Sequence, residues 1–323
     1  MSDRPRLLVT RRLPAAVEAY IQDHFDARLS PDDVPLDRAA LGAALRTYDA
    51  ICPTITDKFD ADLLSAPATQ VRIIANFGAG VDHIDLVAAK AAGVVVTNTP
   101  DALTDATADI AMLLILMTAR RAGEGERELR AGRWTSWRPT HMLGQSVTGR
   151  TLGLVGFGRI AQAVAVRARA CGMRIAYHSR RAAPDDVEKA LAATRAASLD
   201  DLAERSDVLS LHVPGGVETR HMIDGPLLDR MKPTAILVNT ARGSVVDETA
   251  LADALRAGKI AAAGLDVYER EPVVEPGLLE LENVVLLPHL GSATVETRTA
   301  MGLQAAANLD AFFAGLEPPN RVA

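Results

Sequence analysis

Residues 151–165 read TLGLVGFGRIAQAVA, and the fold follows from how that stretch is parsed. An apolar run suited to a strand meets a glycine-rich turn, and small apolar residues then recur at helical spacing. Gly156, Gly158 and Ala161 fall in the pattern G-x-G-x-x-A. In a strand–turn–helix, the first glycine permits the tight turn and the second lets a pyrophosphate approach the backbone. The small third residue keeps helix and strand close, and phosphate charge settles at the helix N-terminus. A further strand, RIAYHS from Arg174 to Ser179, lies at the distance a dinucleotide-binding unit requires.

Past that strand the commonest pattern carries an acid that accepts hydrogen bonds from a ribose 2′-hydroxyl. This chain has YHSRR at 177–181 instead. An acid would repel a 2′-phosphate, whereas Arg180 and Arg181, with Ser179 as a hydroxyl donor, suit it. Charge-assisted hydrogen bonds contribute about 1.5–3 kcal/mol each, enough for a tenfold or greater preference. The expected cofactor is NADPH, with NADH as the alternative. Asp185 and Asp186 are read as the start of the next helix.

Working outward, short β-branched runs alternate with Ala/Leu-rich helical stretches almost from end to end. RLLVT, AICPTI, VRIIANFG and VVVTNT read as strands before residue 100. TLGLVGFG, RIAYHS, DVLSLHV, AILVNTA, AAGLDV and VVLLPH read as strands after 150. This is the βαβ rhythm of parallel sheets covered on both faces. It pauses at 101–150, where a long apolar helix and a polar one intervene. The expectation is an α/β chain of two Rossmann/flavodoxin-like domains with the active site in the cleft between them. Five or fewer strands belong to the first and about six to the second. Residues 1–100 and 291–323 form the substrate-binding domain, the C-terminal helix folding back onto it, and 101–290 form the dinucleotide-binding domain.

At 323 residues, and at about 150 per domain, the length also favours two domains. A net charge of −6 speaks against a nucleic-acid or anionic-membrane partner. Cys52 and Cys171 are too few for a disulfide framework and lack zinc spacing. No pair of histidines and acids has metal spacing either, so no metal is expected. The N-terminal stretch shows no signal-peptide pattern. The most apolar run, Ile110 to Ala119, is half the roughly twenty residues needed to span a bilayer, and reads as a buried helix. The expected compartment is a reducing cytoplasm.

Three segments follow late strands, where open α/β sheets place their sites. They are VNTARGSVVDE with Arg242, GLDVYEREP with Glu271 and LLPHLGSAT with His289. Singly, a surface arginine, a loop glutamate and a strand-end histidine are commonplace. Together on one nucleotide-binding sheet they suit reduction of a 2-keto acid. Arg242 would hold the substrate carboxylate and polarise the carbonyl. His289 would donate a proton to the carbonyl oxygen as hydride arrives, and Glu271 beside it would favour the imidazolium.

The motifs GFGRIA, NTARGSVVDE, GLDVYEREP and PHLGSAT, in that order, resemble those of the D-2-hydroxyacid dehydrogenases over nearly the whole chain. TPDALTDATADIAMLLIL and GRWTSWRP are similar, more narrowly, to the glyoxylate/hydroxypyruvate reductases among them. The resemblance implies the same three roles for Arg242, Glu271 and His289. It implies that backbone amides around Ala79 and Gly80 bind the substrate carboxylate, that Thr107 approaches the cofactor and that Asp266 contacts the nicotinamide amide. Candidate cofactor contacts on the glycine turn are Gly156, Phe157, Gly158, Arg159 and Ile160. On the later loops they are Val213, Pro214, Thr240, Ala241, Arg242, His289 and Gly291. LHVPGGVETRH departs from the family pattern after the proline, which bears on the contacts of Val213 and Pro214. A homodimer is implied, with the Ile110–Ala119 helix in the interface and Trp134 and Trp137 in a segment that crosses to the partner or anchors the contact.

Of the other histidines, His83 is expected to cap or pack behind the substrate loop, and His141 to lie near the Trp segment, with bordering the pocket as the alternative. His178 would flank the adenosine, and His212 would be a satisfied histidine near the nucleotide edge. The reading is NADPH-dependent reduction of glyoxylate to glycolate and of hydroxypyruvate to D-glycerate. Its rivals are an NAD-dependent dehydrogenase of another 2-hydroxy acid, and a nucleotide-sensing binding protein without turnover.

Overall fold

The computed structural model describes residues 4–67 and 69–323. The chain forms two compact units, one running to Leu103 and completed by Ser292–Ala323, the other Thr104–Gly291. In the first, β1 (Arg6–Val9), β2 (Asp26–Arg28), β3 (Ala50–Cys52), β4 (Ile73–Ala75) and β5 (Val95–Thr97) form a sheet in the order β2-β1-β3-β4-β5. In the second, β6 (Thr151–Val155), β7 (Arg174–His178), β8 (Ala193–Arg195), β9 (Val208–Leu211), β10 (Ile236–Asn239), β11 (Ala262–Leu265) and β12 (Val284–Leu286) run β12-β11-β10-β9-β6-β7-β8. All strand pairs are parallel.

The second sheet thus has seven strands rather than about six. The additional strand, β8, is the three-residue edge Ala-Thr-Arg, which has no apolar run to announce it. β2, the polar edge Asp-Ala-Arg, was unmarked for the same reason.

Successive strand residues point to opposite faces, and each sheet separates two apolar layers accordingly. Leu7 and Val9 of β1 join one cluster and Leu8 the other. Ile236 and Val238 of β10 face one layer and Leu237 the other. Burial on both faces is what makes these strands read as continuous apolar runs.

The helix Arg159–Ala170 buries Ala161, Val164, Ala165 and Ala168, one stripe at helical spacing. The helix Thr104–Ala119 lies close on β11: a Cβ on Gly264 would come within 3.1 Å of the Leu114 side chain. That helix is buried on one face only. Its Leu113 and Leu116 are exposed, so the buried-helix expectation for Ile110–Ala119 holds for one face and not for these two residues. In the other unit the C-terminal helix Val295–Phe313 packs on Val17, with Ala305, Ala306 and Leu309 in the same cluster as Val17 and Ile21.

No helix among the described residues is long and apolar enough to cross a membrane.

Candidate active site

The strand order of the second sheet reverses between β6 and β9, and ligands of open α/β sheets bind at the carboxyl ends flanking such a switch point. The glycine turn sits there. Gly156 has φ +86°, and a Cβ on it would lie 2.5 Å from the His212 carbonyl oxygen that follows β9. Its N–H donates to the His178 carbonyl at 2.8 Å, closing the turn onto β7. Gly158 differs in kind: it is exposed, and a Cβ on it would meet nothing within 4 Å. One glycine is required by the protein's own packing, while the other leaves a bare backbone facing open space. Ala161 is fully buried under the turn.

Among the other turn residues, the Phe157 ring stacks on Tyr177 at 4.0 Å in the core, so only its backbone faces the turn. Arg159 is exposed and Ile160 half-buried.

At the end of β7 the Ser179 hydroxyl donates to the Arg181 carbonyl at 2.6 Å. Arg180, exposed, pairs with the equally exposed Glu218 at 3.3 Å. Arg195 on β8 donates to the Ser179 carbonyl at 2.9 Å, bringing a third guanidinium to the same corner. Sequence reasoning missed it because β8 itself was invisible.

The turns after β10, β11 and β12 bind one another. Asn239, fully buried at the end of β10, donates to the Arg242 carbonyl at 2.8 Å and accepts from the Ala241 N–H at 3.0 Å. The Thr240 hydroxyl oxygen is buried and hydrogen-bonds to nothing among the described residues. Gly243 lies so close to the Tyr268–Glu269 backbone that a Cβ would fall 1.8 Å from the Tyr268 carbonyl carbon. The Arg242 turn is therefore wedged against the segment that leads to Glu271. Tyr268 holds that segment in turn: its N–H donates to Glu271 Oε1 at 3.1 Å and its hydroxyl to the Leu287 carbonyl at 2.8 Å.

His289 Nδ1 lies 2.9 Å from Glu271 Oε2 and 3.1 Å from Oε1. Burial works against the Glu271 carboxylate, but the His289 hydrogen bond and charge, the Tyr268 N–H and the Arg242 guanidinium outweigh it and hold the carboxyl below its usual range. The pair is about a third exposed on each side. His289 adopts φ +55°, rare outside glycine. Asp266, after β11, stabilises that turn from beneath. Its carboxylate accepts from Leu290 N–H at 2.6 Å and Gly291 N–H at 2.8 Å, and its carbonyl from His289 N–H at 2.9 Å. Burial pushes the Asp266 carboxyl up. Thr107 adds a donor to the Gly291 carbonyl at 3.1 Å. Both residues thus brace the His289 turn, whatever they offer a ligand.

Val213 is half-buried and Pro214 exposed beyond β9. The His212 ring meets the buried Ser210 hydroxyl at 2.9 Å, and burial lowers it from 6.5 to about 4. His178 ends β7 and approaches the Ala196 carbonyl at 3.5 Å. His141 pairs with Glu128 at 3.2 Å, and Trp134 and Trp137 are exposed. Ala79 and Gly80 belong to the other unit, on the loop after β4. No group of three or more His, Cys, Asp or Glu among the described residues could hold a metal ion.

A doubly wound parallel sheet with a glycine turn at its switch point is a dinucleotide-binding fold. Residues 112–291 match the family model of the D-isomer specific 2-hydroxyacid dehydrogenase NAD-binding domain. The chain is similar to glyoxylate reductases of Thermococcus onnurineus, 46% identical over 99% of this chain and 96% of that protein, and of Korarchaeum cryptofilum, 47% identical with the same coverage. It also resembles the crystal structure of an NADPH-dependent glyoxylate/hydroxypyruvate reductase from Sinorhizobium meliloti in complex with NADP and malonate. There the TM-score is 0.87 at 39% identity, covering 99% of this chain and 97% of that one. The chain belongs to the D-isomer specific 2-hydroxyacid dehydrogenase family. It is an NAD(P)-dependent oxidoreductase of that family, glyoxylate reductase-like in sequence.

The residues present fit a nicotinamide dinucleotide. The bare backbone at Gly158 and the N-terminus of the helix Arg159–Ala170 follow β6, and the unsatisfied Thr240 hydroxyl follows β10, at the same carboxyl edge of the parallel sheet with β9 between them.

Proposed function

We propose that the protein reduces small 2-keto acids with NADPH, taking glyoxylate to glycolate and hydroxypyruvate to D-glycerate. The observation that carries this reading is the imidazole–carboxylate pair, 2.9 Å apart, with the Arg242 charge acting on the same carboxylate. When bound, the dinucleotide supplies the hydride that reaches the substrate carbonyl carbon. The Arg242 guanidinium holds the substrate carboxylate by charge-assisted hydrogen bonds, together with the backbone N–H groups at Ala79 and Gly80. With Nδ1 engaged by Glu271, the protonated His289 ring presents Nε2–H to the carbonyl oxygen and gives up its proton there. One hydride and one proton convert the 2-oxo carbonyl to the alcohol. Glu271, kept charged, orients the ring and favours its protonated form. Thr107, Asp266, Val213 and Pro214 line the dinucleotide in this reading.

The preference for NADPH rests on Ser179, Arg180 and Arg181, with no acid at the end of β7. Binding a 2′-phosphate gives up the exposed Arg180–Glu218 pair, and such pairs are worth about 0–1 kcal/mol, and exchanges the Ser179 hydrogen bond to the Arg181 carbonyl for one to the phosphate. A homodimer belongs to the same reading, supported by Leu113, Leu116, Trp134 and Trp137, all exposed on the dinucleotide-binding unit. Two free cysteines suit a reducing cytoplasm.

The decisive experiment is a kinetic panel of NADPH and NADH against glyoxylate, hydroxypyruvate and other 2-keto acids, following the absorbance of the reduced cofactor. Turnover with none of them ends the reading.

A further inference from the structure

The loop Asn76–His83 has an organisation that the catalytic trio does not explain. Asn76 is fully buried at the end of β4, yet it is polar. Its side-chain amide donates to the Gly78 carbonyl at 3.0 Å and to the Gly80 carbonyl at 2.9 Å. The carbonyl between them, Ala79, accepts from the Asn98 amide at 2.7 Å. Three consecutive carbonyls are thus drawn by side chains toward the β4 and β5 ends.

These peptide bonds are trans, and a trans peptide sets its N–H opposite its C=O. Fixing the carbonyls of 78, 79 and 80 therefore turns the N–H groups of Ala79, Gly80 and Val81 the other way. None of the three N–H groups has a hydrogen-bond partner among the described residues, and all three residues are half-buried, so the face they present is reachable. Successive N–H groups aimed one way form an anion-binding concavity.

His83 sets the polarity of the arrangement. Its Nε2 lies 3.0 Å from Asn76 Oδ1. Because the Asn76 nitrogen serves two carbonyls, its oxygen is the acceptor and Nε2 carries hydrogen. A flipped Asn76 would set oxygen against oxygen twice.

We propose that Asn76 is a positioning residue which, oriented by His83 and assisted by Asn98, presents the N–H groups of Ala79, Gly80 and Val81 to the carboxylate of the substrate. This rests on the 2-keto acid reading above. It adds Val81 to the cradle and assigns Asn76, His83 and Asn98 a task in substrate affinity.

The test is steady-state kinetics on the full-length protein with glyoxylate varied, beside dinucleotide affinity measured by fluorescence titration. Asn76→Ala is expected to raise the glyoxylate KM about tenfold or more, as loss of hydrogen bonds to a charged group does, with dinucleotide Kd kept within about twofold. His83→Ala is expected to move KM in the same direction, and His83→Gln, which restores an N–H donor, to bring it back. A glyoxylate KM within about twofold of the parent in Asn76→Ala overturns the proposal. So does an equal loss of dinucleotide affinity, which would mark a merely structural role. If Asn76→Ala does not fold, equal KM values for His83→Ala and His83→Gln overturn it.

Should the protein turn over no 2-keto acid, the functional reading falls and the cradle is decided separately. Backbone amide resonances of Ala79, Gly80 and Val81 are followed during titration with oxamate. Shifts that vanish in Asn76→Ala support the cradle, and their absence in the parent overturns it.

Discussion

At the residue scale, the chemistry of the proposed reaction turns on His289. Replacing it with Gln is expected to lower kcat by about 10²–10⁴, the range of positioned acid catalysis, while dinucleotide Kd stays within a few-fold. Stopped-flow turnover beside fluorescence titration checks both halves. A variant with near-parental kcat would remove His289 from the proton transfer. A second expectation concerns Arg180 and Arg181. Neutralising both should weaken NADPH by tenfold or more and NADH hardly at all, since only the former carries the 2′-phosphate. Equal loss for both would mean that these arginines only face solvent. What sequence could reveal here was the kind of residue and its place beyond a strand. It could not reveal that the Phe157 ring turns inward onto Tyr177, or that Asp266 and Thr107 are occupied by the His289 turn. Hydrogen bonds from a side chain to distant backbone leave no spacing in the sequence.

At the scale of elements, the two glycines of the turn make separable predictions. Gly156→Ala places a Cβ 2.5 Å from a backbone oxygen at φ +86°, so it should lower the melting temperature markedly before any cofactor is added. Gly158→Ala meets open space in the protein, so it should leave the melting temperature near parental and weaken dinucleotide binding. Calorimetry with and without NADPH separates the two. Similar melting losses for both would show that Gly158 also serves packing. The parallel sheets were legible because strands buried on both faces are continuous apolar runs, as in Ala-Ile-Leu-Val-Asn around β10. The edge strands β2 and β8 were not, because each is only three residues long, two of them polar and one an alanine, which leaves no apolar run. With β8 went Arg195, the guanidinium beside Ser179.

For the whole molecule, His212 links stability to pH. Its folded-state value lies near 4 against an ordinary 6.5, so between those values the unfolded chain binds a proton that the folded one does not. Stability therefore falls as pH drops through that window, by up to about 1.4 kcal/mol per pH unit for one proton. Glu271 acts in the same direction at more acid pH, its charged form being favoured in the fold. Asp266, Glu248 and Asp57 act oppositely, because burial raises them and protonation relieves its cost. Subtracting the denaturation profile of His212→Asn from that of the parent isolates the histidine, and parallel profiles would dismiss its part. The division into two sheets was readable from the repeated βαβ rhythm, since a parallel sheet demands a crossover for every strand. That Glu271 stands beside His289, 18 residues on, was expected from their places after two late strands, whereas the 2.9 Å contact between Nδ1 and Oε2 belongs to the geometry.

The mutual fastening of the turns after β10, β11 and β12 carries a consequence for how such a chain would diverge. Gly243 seated on Tyr268, Tyr268 tied to Leu287, and Asp266 gripping Leu290 and Gly291 form a frame that persists whether or not an imidazole stands on it. With His289 as the proposed acid, a descendant could give up turnover by exchanging one ring and keep the architecture intact. A retired copy of this enzyme would then be betrayed by a single missing imidazole amid an otherwise faithful scaffold.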